Sequence, residues 1–191
     1  KYGLTKESYL GAAIKEPRLF WKKSSAIISN IETVQKHFKK NGLTLENYLK
    51  AALNHEGLFY QNPQTIINNI EGVYNQFKDG GLTLENYLKA AVRQPQLFSQ
   101  KSETIKNNVM GVYNHFKGDG LELKDYLKAA VSQPQLFYQD PKTIIDHIDL
   151  IIDMYRKELF NYYPQDSKLD KTKQMQADRS DITPVFKYIS R

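Results

Sequence analysis

The chain contains no cysteine, which removes disulfide staples and thiolate metal sites and fits a reducing, intracellular compartment. Long apolar runs are also missing, so nothing in it is suited to crossing a bilayer and no membrane partner is expected. The opening residues, Lys1-Tyr2-Gly3-Leu4, do not make a signal peptide. The lack of an initiator Met is read as the mark of a processed or excised fragment. No phosphate-cradling glycine loop, nucleophile elbow or dinucleotide fingerprint occurs. The four histidines, His37, His55, His115 and His147, have no zinc-type spacing. The acidic residues Asp140, Asp146, Asp149 and Asp153 read as a solvated helix face. No enzyme, metal or cofactor is expected from these residues.

What is present in abundance is repetition. Gly-Leu recurs at Gly3, Gly42, Gly81 and Gly120, at a constant period of 39 residues. Four units follow, 3–41, 42–80, 81–119 and 120–158, with the middle pair most alike. A period of this size signals a helical array whose units cannot bury their apolar faces alone and must stack.

Within the third unit, Leu84, Tyr87, Leu88, Ala91 and Val92 follow the stripe of a first helix. Ile105, Val109, Val112, Tyr113 and Phe116 mark a longer second one. Between them, Gln94-Pro95-Gln96-Leu97-Phe98 ends the first helix, since proline disfavours helical geometry in the residue before it. Asn62-Pro63 and Asp140-Pro141 supply a capping side chain and a first-turn proline for second helices; Ser24 and Ser102 are expected to cap the others. The expected fold is therefore all-α: an α-solenoid of four 39-residue helix–short turn–helix repeats over residues 1–163. A polar linker and C-terminal capping tail fill 164–191, with Val185, Phe186, Tyr188 and Ile189 folding back over an unusually apolar last helix that extends through Phe160.

The order Tyr-Leu, Pro-x-Leu-Phe, then Thr-Ile-x-x-Asn and Gly-Leu resembles the repeat of the mitochondrial transcription termination factor (mTERF) family. Its residues here are Pro17, Leu19, Phe20; Leu58, Phe59; Pro95, Leu97, Phe98; and Pro134, Leu136, Phe137. Glu56 stands at the proline position of the second unit, and the unit is longer than the family's. The resemblance implies a curved helical array that binds nucleic acid along a basic concave surface.

Candidate contacts are the positions that vary while the skeleton stays fixed. Lys15, Asn54 and Arg93 align at the end of the first helix; Arg18, Gln96 and Gln135 align just after the proline; Lys22 and Lys23 follow the first connector. Their amide and cationic side chains suit phosphates and base edges, although a solvated helix end is polar without any ligand. Trp21, Tyr60 and Tyr138 either stack bases or cover the seam between repeats. Asn30, Asn69 and Asn108 read as a structural hydrogen-bond ladder, and Lys50 and Lys89 as ion-pair partners of Glu46 and Glu85.

The net charge of +6 is uneven, running +6 over residues 1–41, then −2, +2 and −2 through the next three units and +2 after them. That alternation opposes a long phosphate track. Two binding readings remain, nucleic acid (DNA or RNA) first and a protein-interaction scaffold second.

Overall fold

The computed structural model describes residues 4–162, with side chains through residue 154. Every regular element among them is helical, and no strand occurs. The expected linker and cap at 164–191 lie outside the described residues.

Eight helices carry the four units, two to a unit. They are α1 (Lys6–Lys15), α2 (Ser24–Phe38), α3 (Leu45–Asn54), α4 (Pro63–Phe77), α5 (Leu84–Arg93), α6 (Ser102–Phe116), α7 (Leu123–Ser132) and α8 (Pro141–Tyr162). A single helical turn joins the two helices of each unit: Pro17–Trp21, Glu56–Phe59, Gln96–Ser99 and Pro134–Phe137.

Thr5, Thr44 and Thr83 begin the first helices by accepting the backbone N–H of Ser8, Asn47 and Asn86, an N-cap worth ~1 kcal/mol each. Asn62 and Asp140 cap α4 and α8 by accepting from the N–H of Gln64 and Lys142 at 2.8 and 2.9 Å. The expected caps at Ser24 and Ser102 do not form. These serines occupy the position of Pro63 and Pro141, one residue past the cap, and Lys23 and Lys101 hold the cap site with no side-chain bond.

The second helix of each of the first three units tightens into a short 3₁₀ turn and then stops at Gly42, Gly81 or Gly120, with φ of 90°, 95° and 90°. That left-handed geometry is open to glycine and strained for other residues. The leucine that follows donates its N–H back to the last phenylalanine of the helix, Leu43 to Phe38, Leu82 to Phe77 and Leu121 to Phe116. Each leucine is then buried, so the turn that ends one unit also anchors the next.

The helices form two rows. First helices touch in the order α1, α3, α5, α7, and second helices in the order α2, α4, α6, α8. Each connector from the second unit on lies against the second helix of the unit before it. Between the rows, one aromatic contact recurs at every boundary: Tyr9 on Phe59, Tyr48 on Phe98 and Tyr87 on Phe137. The rings meet edge to face, at centroid distances of 5.9, 5.3 and 5.3 Å. Such pairs add ~0.5–1.5 kcal/mol beyond the area they bury.

The tyrosine hydroxyls differ. Tyr9 donates to the Leu19 carbonyl at 3.2 Å and Tyr126 to that of Leu136 at 2.9 Å, while the buried hydroxyls of Tyr48 and Tyr87 have no partner among the described residues. An unmade buried hydrogen bond costs ~1–3 kcal/mol, so these two hydroxyls offset part of what the inner rungs gain from ring packing.

Close approach in the second row depends on glycine. A β-carbon at Gly111 would lie 2.9 Å from the Pro141 ring, and one at Gly72 would lie 2.5 Å from Ser102 Oγ.

Candidate functional site

The variable polar residues sit where the first helices end and the connectors begin, and the structure uses several of them to join one unit to the next. Arg18 is held by Glu16, with Nε to Oε1 at 2.7 Å and Nη2 to Oε2 at 2.9 Å. Its guanidinium lies 4.8 Å over the Tyr60 ring of the second unit, and Tyr60 Oη donates to Glu16 Oε2 at 3.2 Å. The Arg18 hydrogen bonds hold the Glu16 carboxyl down at about 2, well below its ordinary value.

One unit further on, the same two repeat positions carry different chemistry. His55 stands in the place of Glu16 and Ser99 in the place of Tyr60, with Nε2 to Oγ at 3.0 Å. Ser99 Oγ also donates to Gln61 Oε1 at 2.8 Å, and its two backbone neighbours, the Phe98 and Ser99 carbonyls, accept from Asn69 Nδ2 at 3.4 and 3.2 Å. Asn69 thereby makes a structural bond across the boundary, but Asn30 and Asn108 make no such bond among the described residues, so the expected ladder does not form as a series.

A serine beside a histidine has the spacing of an activated nucleophile, but Ser99 Oγ carries one proton and has two partners, His55 Nε2 and Gln61 Oε1, so the histidine shares the hydroxyl with an amide. Burial lowers the His55 pKa, with Glu56 opposing that shift in part. The residues of these two boundaries line one cleft of about 420 Å³: Glu16, Arg18, His55, Glu56, Gly57, Tyr60, Gln61 and Ser99.

Other candidates are spread along the array. Lys15 Nζ lies 3.7 Å from Glu56 Oε1, a largely exposed ion pair across the first boundary. Arg93 reaches the end of α7, where Nη1 donates to the Ser132 carbonyl at 3.4 Å and Nη2 to that of Val131. A cation at this helix end also opposes its dipole. Gln135 bonds Gln133 beside it at 3.2 Å. Lys22, Lys23 and Asn54 are exposed and Gln96 is half-buried. The eight candidates therefore do not converge on one spot: Arg18 lines the cleft, Lys15 lies at the same boundary, and Arg93 belongs to a different groove.

That second groove was not anticipated from the sequence. It opens over the first-helix row with a volume of about 440 Å³. The α5 stripe Glu85, Leu88, Lys89, Val92 and Arg93 forms its floor, with Leu43, Asn47 and Val131 at its sides. Its spacing was visible as a helical stripe; the opening beside it depends on how the neighbouring helices pack.

The expected Glu85–Lys89 pair forms at 2.7 Å. His37 with Glu71 at 2.7 Å and His115 with Asp149 at 4.0 Å repeat one pairing two units apart on the second row. Among the described residues, no three His, Cys, Asp or Glu side chains are grouped to hold a metal, and no helix is long and apolar enough to cross a membrane.

No protein-family model, curated protein or solved structure matches the chain.

Proposed function

We propose that this protein is a non-catalytic α-solenoid whose first-helix row binds a peptide segment of a protein partner. The observation that carries this reading is the internal pairing of charge around the groove. Glu85 is paired with Lys89, and Arg93 is held by the carbonyl groups ending α7. Val92 and Val131, both half-buried, then offer apolar contact between polar walls, a lining suited to one or two apolar anchors of an amphipathic segment. A polyanion would meet few unpaired cations there, because Arg18 and Lys15 are also paired within the array.

Nucleic-acid binding is kept as the second reading on a separate observation. Lys22, Lys23, Lys39 and Lys40 form no ion pair among the described residues, and all four lie within residues 1–41, which carry a net +6. The mTERF-like repeat pattern points the same way.

One experiment separates the two. Peptides are selected from a random display library against the full chain, and fluorescence anisotropy is measured with labelled DNA and RNA pools over a salt series. The groove reading expects selected peptides with apolar anchors whose binding falls about tenfold or more in Val92→Glu and is unchanged in Lys22→Ala/Lys23→Ala. Binding of nucleic acid that weakens with salt and is lost in the lysine variant, without groove-dependent peptides, would replace it with the second reading.

A further inference from the structure

The first unit exposes five large apolar side chains: Leu10 at 39%, Ile14 at 74%, Phe20 at 58%, Trp21 at 87% and Ile28 at 54%. One period later each has a covered counterpart. Leu49, Phe59 and Ile67 are buried at 6%, 0% and 3%, and Leu53 and Tyr60 are half-buried. What covers them is the unit ahead: the Tyr9 ring meets Phe59, and α2 takes the connector Glu56–Phe59. Phe98 and Phe137 are covered in the same way by Tyr48 and Tyr87. The exposed side chains of the first unit are thus one half of the boundary contact that the array makes three times, without its other half among the described residues. A unit evolved to face solvent carries polar residues there.

We infer that this face docks a further unit of the same repeat, joined in register ahead of Gly3. The three boundaries specify what that unit carries. Its first helix presents a tyrosine ring edge to Phe20. The residue capping the end of that helix accepts a hydrogen bond from Trp21, as Glu16 accepts from Tyr60, which holds the Trp21 position in the second unit. An indole only donates, so glutamate, glutamine or neutral histidine fits and lysine or arginine does not. Lys22 and Lys23 beside the face favour the acidic choice.

A second copy of this chain does not offer the matching half. Its last tyrosine of this series, Tyr126, is already fully buried. Leu150, exposed at 59%, occupies the position at which Gly72 and Gly111 leave room for Ser102 and Pro141, and Thr33 is the largest side chain found there at an inner boundary. The inference rests on burial alone and is independent of what the groove binds.

Trp21 is the sole tryptophan, so its fluorescence reports on this face directly. The test compares the chain with one extended ahead of Gly3 by a second copy of residues 42–80, which contain no tryptophan. Docking is expected to move Trp21 emission to shorter wavelength and to cut its quenching by acrylamide severalfold, and Phe20→Ser in the extended chain is expected to reverse both changes. Unchanged emission on extension overturns the inference. So does a shift in the unextended chain that grows with protein concentration, which assigns the face to a second copy. A shift on adding vesicles of phosphatidylcholine and phosphatidylglycerol also overturns it and assigns the face to lipid.

Discussion

The first and second unit boundaries make the same apolar contact and different polar ones. Tyr9 on Phe59 and Tyr48 on Phe98 have nearly the same geometry, with interplanar angles of 79° and 82°. Beside them, the first boundary pairs Glu16 with Tyr60 under Arg18, and the second pairs His55 with Ser99 and Gln61. The apolar rung sits in the dense interior, where a change of one methylene is felt, so the residue types hold from unit to unit. The polar pair lies at the half-exposed seam, where any complementary donor and acceptor satisfy it. Variation within a repeat therefore does not by itself mark ligand recognition.

The largest effect is expected from breaking the apolar rung. Phe98→Ala removes a fully buried ring and should lower unfolding stability in urea by ~3–5 kcal/mol. Phe20→Ala, at the equivalent but exposed position in the first unit, should change it by less than ~1 kcal/mol. Equal losses at the two positions would show that the rung is not what distinguishes them.

The second comparison is between two helix-interior glycines. At Gly111 an added β-carbon meets the Pro141 ring, whereas at Gly11 nothing lies within 4 Å. Gly11→Ala should stabilise by ~0.5–1 kcal/mol through helix propensity. Gly111→Ala gains the same propensity but pushes α8 away from α6, and should be destabilising by ~1–3 kcal/mol. Thermal unfolding of the two variants side by side checks the sign of each, and stabilisation by both would mean that α8 yields without cost.

These comparisons also show what was legible in the sequence. The period, the two helices of each unit and the connectors follow from apolar spacing and from glycine and proline placement, which are local properties. Asn62 and Asp140 were recognisable as caps because proline follows them; Ser24 and Ser102 were misplaced by one residue because they replace that proline itself. Thr44 and Thr83 carry an N-cap signal of their own, a threonine just before an apolar stripe. The uses of Arg18 and Arg93 were not legible. Their partners Tyr60 and Val131 lie in the following unit, and only the stacking brings them within reach. The exposure of Trp21 was hidden for the same reason, since Tyr60 and Tyr138 at its repeat position are half-buried against a preceding unit.

The smallest effect expected is a difference in pH response between the two polar seams. Burial lowers the His55 pKa below its ordinary 6.5, so between those two values the unfolded chain binds more protons than the folded one. Stability then falls as pH drops through that window. Glu16 is also depressed, from 4.5 to about 2, and its contribution is present above about 4.5 and disappears only as pH falls towards about 2. The second boundary should therefore weaken first on acidification, below neutrality, and the first boundary only in strong acid. His55→Gln keeps an amide that can bond Ser99 and removes the titration. It should flatten the stability profile just below pH 6.5 while leaving the loss below about pH 4.5 in place. A profile that keeps its full slope just below pH 6.5 in this variant would assign that slope to groups other than His55, and would leave the polar seams alike in their response to acid despite their different residues.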